Sequence, residues 1–338
     1  MASVGLFQTA FILGLEFVGP SKRVMFGVIG EFFFAFGEII LGLMAWGIRS
    51  WRMLQLVISA PVTCFVFYYW IVPESIRWLQ TKGRHAQVVA NLENIARINK
   101  KTIPLHLLRH HPLEEAESDE SNDMAILINR PHKVTLLDVF RNPTMAFRTI
   151  FLIIIWITTT LTYYGLSYNA MDLGEDQGAN KIYLNFLLSA VIEIPGYIFA
   201  WIGMEYFGRK WSLLISLFLS GIACIATGYL KGFLSMLLIF LVGKSNITTA
   251  FAIIYVYTAE LFPTNVRNTV IGLCSMFARV GGMIAPFSTS LKQIYTPLPM
   301  LLFGLLSLLS SLLSITMPET LGEKLPDTIK DAIHIGSK

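Results

Sequence analysis

The sequence predicts an all-helical protein that crosses a membrane nine times. Three observations predict it: composition, the length of the apolar runs, and a repeated pair of charged motifs. Of the 338 residues, 54% are hydrophobic and only 14% charged, with a mean hydropathy of +0.60. Soluble domains carry about 25% charged residues, so lipid is the remaining outlet for this much apolar surface. Spanning the hydrocarbon takes about 20 apolar residues as a helix. Only helices satisfy their own backbone at that depth in isolated runs of this length.

Nine runs qualify: 2–18, 24–47, 52–72, 149–169, 181–203, 211–230, 233–257, 268–290 and 297–317. Short polar turns join them, apart from one hydrophilic stretch at 73–147. The chain thus divides into three helices (1–72), a partly helical cytoplasmic loop (73–147), a six-helix half (148–318) and a cytoplasmic tail (319–338). Lys and Arg concentrate on the cytoplasmic side of membrane proteins. Placing the 73–147 loop inside puts most of the 26 basic residues there, including Lys22, Arg23, Arg209, Lys210, Arg267 and Lys324. Asp172, Glu175 and Asp176 then lie in an outer loop without a basic residue. An odd count of spans beginning outside is read as a chain whose first helices precede Met1. The expected location is a membrane, the plasma membrane by preference, with the C-terminus cytoplasmic.

The motifs recur at nearly constant offset. Glu16 precedes Arg23 by the same interval by which Glu260 precedes Arg267, and Pro73-Glu74-Ser75 closes the third span as Pro318-Glu319-Thr320 closes the ninth. Six helices separate the copies, and an even number preserves orientation. This predicts two parallel, pseudo-twofold-related bundles, with three helices of the first present. Glu260 and Arg267 are expected to pair across a helix end broken by Pro263. Gly203, Glu205, Gly208, Arg209 and Lys210 form a tight basic turn. Such clusters either anchor topology or lock one conformation until the halves move.

These residues resemble the organic cation, organic anion and carnitine branch of the major facilitator superfamily. The resemblance rests on Pro73-Glu74-Ser75-Ile76-Arg77-Trp78-Leu79, where Ile76 replaces a second proline. It rests also on Tyr257 to Thr264 with Arg267 and Asn268, on Trp51 to Gln55, on Tyr163 to Leu166, and on Pro318 to Gly322. It implies family helices 4–12 of a 6+6 bundle that moves small organic ions by alternating access.

An ionisable side chain deep in a membrane marks a pathway by default. Glu38, Glu193, Lys244 and Arg279 qualify. Arg279 stands midway along its span before Gly281 and Gly282, which would let the helix bend, and a guanidinium can hold a carboxylate bidentately. The resemblance implies Arg at this place in anion and carnitine branches. The alternative is a structural ion pair, with Glu193 as its partner. Glu193 precedes Pro195, which frees a carbonyl and favours a polar lining; Glu193 and Arg279 together would supply opposite charges. Lys244 either lines the pathway or snorkels to the headgroups, and Glu38 is either a site residue or a buried protonated carboxyl. Tyr163, Tyr164, Tyr197, Tyr255 and Phe34 fall where the resembling proteins line their cavity, and aromatic faces attract organic ammonium groups.

Other signals lead nowhere. Asn246-Ile247-Thr248 spells a glycosylation site inside a span. His106, His110 and His111 read as a solvated basic stretch rather than a zinc site, and the acidic run 114–123 as a solvated insert. Cys64, Cys224 and Cys274 fit neither a disulfide framework nor a metal site. No phosphate loop, nucleophile triad or ATPase motif appears, so no enzyme activity and no cofactor is expected; gradients supply the energy. The expected partners are a small organic ion, a coupling ion and the bilayer. A sugar-porter-like facilitator and a transport-inactive membrane protein remain as alternatives.

Overall fold

The computed structural model describes residues 9–10, 13–14, 17–18, 23–67, 70, 72–76, 79, 84–101, 136–170, 179–230, 232–323, 326 and 329–336. The 114–123 run, His106, His110, His111, Glu16 and Arg77 lie outside these residues, as does the side chain of Arg23. The described residues are helical, without a strand. The helices are α1 Arg23–Gly47, α2 Trp51–Val62 (continued by a 3-10 turn, Thr63–Phe67), α3 His85–Ile98, α4 Leu136–Arg141, α5 Pro143–Ala170, α6 Ala179–Val191, α7 Glu193–Tyr206, α8 Arg209–Tyr229, α9 Phe233–Leu261, α10 Thr264–Ile284, α11 Ser288–Leu291, α12 Leu298–Ile315 and α13 Ile329–His334.

Seven segments among the described residues are long and apolar enough to cross a membrane. They match seven of the nine expected spans. Of the other two, 2–18 falls largely outside the described residues, and 52–72 appears as a shorter apolar helix, Trp51–Phe67. Among the described residues the count is therefore seven, and the expected nine is not confirmed. Pro61 lies inside α2, and the chain passes into a 3-10 turn just beyond it; residues 68, 69 and 71 lie outside the described residues.

The chain forms two compact units. Residues 1–20 and 56–133 make one, where Asn91 on α3 donates to the Glu74 carbonyl at 3.4 Å and Val88 and Leu79 are buried. Within the expected loop 73–147 the described residues include α3 and α4. Residues 21–55 and 134–338 make the other, which holds α1 and α4–α13.

Local chemistry sets the helix ends of this larger unit. Asn142 accepts the amides of Thr144 and Met145, and Pro143 occupies the first turn of α5, where its missing N–H costs nothing. At the other boundary α9 ends at Leu261, Phe262 is extended, and Pro263 opens α10. The expected break at Pro263 is the one observed. The span containing Pro195 is interrupted at Ile192, so that Glu193 opens α7.

Helices pack in membranes through small side chains and interhelical hydrogen bonds rather than hydrophobic burial. α5 packs on α10, α8 on α9 and α12, α7 on α9, and α1 on α6 and α7. Thr249 donates from α9 to the Gly196 carbonyl on α7 at 2.8 Å, and Ser220 from α8 to the Gly243 carbonyl on α9 at 3.2 Å. Gly281 serves as a contact rather than a bend. α10 runs on through it, and a Cβ there would stand 2.5 Å from the Ile157 carbonyl oxygen of α5. Backbone cannot yield as a side-chain tip can.

Gly281→Ala is therefore expected to destabilise the protein by about 1–3 kcal/mol. Gly282→Ala, whose new Cβ would meet Tyr164 at an ordinary 3.5 Å, is expected to stay within about 0.5 kcal/mol. Thermal melts of the purified protein in detergent check this, and equal melting temperatures for the two variants would refute the close-contact assignment.

Candidate functional site: a buried charge cluster

Glu193 lies at the midpoint of the span Asn180–Tyr206, and Lys244 stands well inside α9. Their side chains meet: Lys244 Nζ is 2.8 Å from Glu193 Oε1, at 1% and 0% side-chain exposure. The lysine does not snorkel to an interface. Two phenols complete the carboxylate's shell. Tyr163 on α5 donates to Glu193 Oε1 at 2.7 Å, and Tyr197, one turn along α7, donates to Oε2 at 3.2 Å. Lys244 also donates to Ser167 Oγ at 2.7 Å, and its ammonium sits 3.4 Å from the centre of the Tyr163 ring. A buried ion pair is tolerated only when its remaining donors and acceptors are satisfied, and here two tyrosines and a serine do that.

The cluster extends through Tyr163. Its hydroxyl also stands 3.3 Å from Glu38 Oε1, which α1 contributes. Tyr163 packs edge-on against Tyr164 at 5.3 Å between ring centres and tilted against Phe251 at 5.3 Å. Phe251 leads on to Tyr255, and Tyr255 to Trp156 at 4.4 Å. Trp156 is held by a bond from its indole to Thr258. One aromatic seam thus joins α5 to α9 beside the charges.

Arg279 on α10 is half-buried, and among the described residues no carboxylate lies within ion-pair distance of it. The expected structural pairing of Arg279 with Glu193 is thereby corrected, because Lys244 holds Glu193. Arg279 instead acts electrostatically on Tyr164 and Tyr255. Tyr164 feels both the Arg279 guanidinium and the Glu38 carboxyl, and all three are half-buried. The structure therefore gathers Glu38, Glu193, Lys244, Tyr163, Tyr164, Tyr197, Tyr255 and Arg279 into one region. Phe34 is 41% exposed, and Phe32 is the ring that packs on Tyr197, at 5.8 Å.

Sequence reasoning passed over Glu31, Trp156, Ser167 and Phe251. Glu31 was findable: it lies seven residues, two helical turns, before Glu38 on the same face.

The second cluster lies at one end of the larger unit. Gly208 takes φ +87°, and a Cβ there would collide with the Glu319 carboxylate at 2.5 Å. That carboxylate accepts the amides of Arg209 at 2.8 Å and Lys210 at 3.1 Å, at the N-terminus of α8, where negative charge is favoured. It also accepts the amides of Thr320 and Leu321. Arg209 reaches Glu260 at 2.9 Å, and Thr320 donates to the second Glu260 oxygen at 2.6 Å. The expected Glu260–Arg267 pair is not the one formed. Arg267 donates to the Ala259 and Phe262 carbonyls, bracing the backbone where Pro263 breaks the helix. Lys210 leans on Trp211, while Glu205 is exposed and accepts from Trp201 at 2.8 Å.

Residues 16–329 match the family described as sugar (and other) transporter. The chain belongs to that family. Among its relatives, the organic cation transporter protein of Drosophila melanogaster is 37% identical over 336 residues, 99% of this chain and 60% of that protein. Organic cation/carnitine transporter 2 of Homo sapiens is 33% identical over 338 residues, 99% of this chain and 58% of the relative. The chain thus spans about three fifths of the length of these curated relatives. Of solved structures, the major facilitator proton:xylose symporter XylE bound to 6-bromo-6-deoxy-D-glucose superposes with a TM-score of 0.68 at 16% identity. That superposition covers 97% of this chain and 70% of the symporter. The inward open conformation of XylE from E. coli gives 0.60. The fold is the major facilitator fold, in a multi-pass membrane protein of a transporter family.

Within such a fold a charge pair at midspan must stay paired. Lys244→Met leaves the Glu193 carboxylate uncompensated and is expected to cost about 3–5 kcal/mol, read as a lowered melting temperature. Lys244→Met with Glu193→Met should recover most of that loss. A double variant as unstable as the single one would show that the pair is not the unit of stability.

Proposed function

We propose that the protein moves small organic ions across a membrane by alternating access, and that zwitterions such as carnitine-like amines fit its site best. The observation that carries this is that Arg279 and Glu38, opposite in charge and each half-buried, both act electrostatically on Tyr164. Glu193 and Lys244 neutralise each other at full burial. That leaves the half-buried Arg279 and Glu38 with charge to offer a ligand. A guanidinium takes a carboxylate through parallel hydrogen bonds. A quaternary ammonium has no N–H to donate and is held by carboxylate charge and aromatic faces, which Glu38 and Tyr164 supply. The relatives' names, organic cation and organic cation/carnitine transporters, agree with this chemistry. A neutral sugar would leave both charges without a counterpart in a low-dielectric site, so the sugar reading is disfavoured.

The Glu319–Arg209–Glu260 cluster serves here as a cytoplasmic brace for one half, and the C-terminus is placed on the same side. Glu16, Arg23, Glu74 and Arg77 are assigned the corresponding role in the first half, on the strength of the repeated motifs.

Uptake of labelled L-carnitine, p-aminohippurate and tetraethylammonium by cells expressing the protein tests the reading. A hydrogen bond to a charged group contributes about 1.5–3 kcal/mol, roughly 10–100-fold in affinity. Arg279→Gln should lower carnitine and p-aminohippurate uptake by about that factor and spare tetraethylammonium. Glu38→Gln should impair carnitine and tetraethylammonium and spare p-aminohippurate. Equal losses for all three probes in both variants would make the two residues structural.

A further inference from the structure

Glu31 is a third carboxyl in this region, and neither the ion pair nor the substrate chemistry above uses it. It is 4% exposed on α1, and its Oε1 has no hydrogen-bond partner among the described residues. Its charge acts on Glu193 and Tyr197 of α7 and on Tyr255 of α9, and α1 packs on both helices. The buried cation of the cluster, Lys244, is bound to Glu193. Arg279 and Glu31 both act on Tyr255. On its own helix the other acid is Glu38. α6, the third helix packed against α1, carries Lys181 and Tyr183 in its first two turns. Of the three carboxyls, Glu193 holds the buried ammonium, Glu38 accepts from Tyr163, and the oxygen without a partner among the described residues belongs to Glu31.

A buried carboxylate without a counter-charge carries a large desolvation cost, and a bound cation removes it. An organic cation is too large for an oxygen this enclosed. A metal ion needs several oxygen ligands, and among the described residues no group of three or more His, Cys, Asp or Glu side chains could hold one. A proton needs only the one free oxygen.

We propose that Glu31 is a proton-binding site that is loaded and unloaded as the protein opens to one side of the membrane and then the other. On loading, a hydronium ion gives its proton to Oε1; an O–H bond forms, the carboxylate becomes neutral, and water is left. On unloading, the proton returns to water on the opposite side and the carboxylate is restored. Because Glu31 acts on Glu193, its charge state bears on the Lys244–Glu193 pair, and through Tyr163 on Glu38. Organic-ion movement is thereby tied to the proton gradient, a coupling that rests on the transport reading above.

The test compares the full chain, reconstituted in liposomes, with its Glu31→Gln, Glu31→Asp and Glu38→Gln variants. In pH-difference infrared spectra the wild type should show a carbonyl band of a protonated carboxylic acid. The band should vanish in Glu31→Gln, shift in Glu31→Asp and persist in Glu38→Gln. In the same liposomes a gradient of one pH unit should change the steady accumulation of labelled L-carnitine by up to about tenfold for one proton per organic ion. Glu31→Gln should lose that response. An unchanged band in Glu31→Gln overturns the proton site, and a retained gradient response overturns the coupling. If the wild type takes up no carnitine, p-aminohippurate or tetraethylammonium while the band behaves as stated, the transport reading fails and the proton site stands. Should Glu31→Gln not fold, the band shift in Glu31→Asp decides.

Discussion

The larger unit depends on one buried ion pair. Lys244 and Glu193 come from different helices, neither is exposed, and their charges lie at midspan. Desolvating two such ions costs several kcal/mol each even after relaxation. The structure offsets that cost with bonds donated by Tyr163 and Tyr197, a bond from Lys244 to Ser167, and the Tyr163 ring beneath the ammonium. Those partners lie on α5 and α7, so satisfying the pair fixes the rotation of both helices against α9. Glu38 then brings α1 into the same network through the Tyr163 hydroxyl. Hydrogen-bonded networks of this kind specify one arrangement because every alternative strands a charge.

A second set of contacts does the same at one end of the unit. Glu319 gathers four backbone amides and Glu260 joins Arg209 to Thr320. Tyr257 donates to the Pro318 carbonyl, and Arg148 donates to carbonyls at the end of α13. Helices α5, α8, α9 and the tail are stitched there by donors with fixed geometry. Between the two levels the contacts are mostly apolar and small-residue packing.

Much of this was legible in the sequence, for identifiable reasons. Hydropathy over about 20 residues depends on neither partner nor rotation, so the spans were readable. The helix break at Pro263 was readable because proline acts on its own backbone. Glu193, Lys244 and Arg279 stood out because charge is expensive at depth. Their pairing was not readable. Arg279 and Lys244 were both within reach of Glu193 on paper, and only the rotation of α9 against α7 decides between them. The same limit applies to Glu260, which turns to Arg209 rather than to Arg267, seven residues along. Phe32 and Phe34 differ by two positions, about 200° around a helix, and composition cannot say which faces inward. Glu31 was overlooked although its two-turn spacing from Glu38 carried the signal.

The central claim is that the region between Arg279 and Glu38 receives an organic ion. Cryo-electron microscopy of the protein with L-carnitine tests it most directly. The account predicts added density against Tyr164, with the carboxylate end at Arg279 and the ammonium end toward Glu38, and with Lys244 and Glu193 still joined. Carnitine density away from this cluster, or a Lys244–Glu193 pair opened to take the ligand, would contradict it.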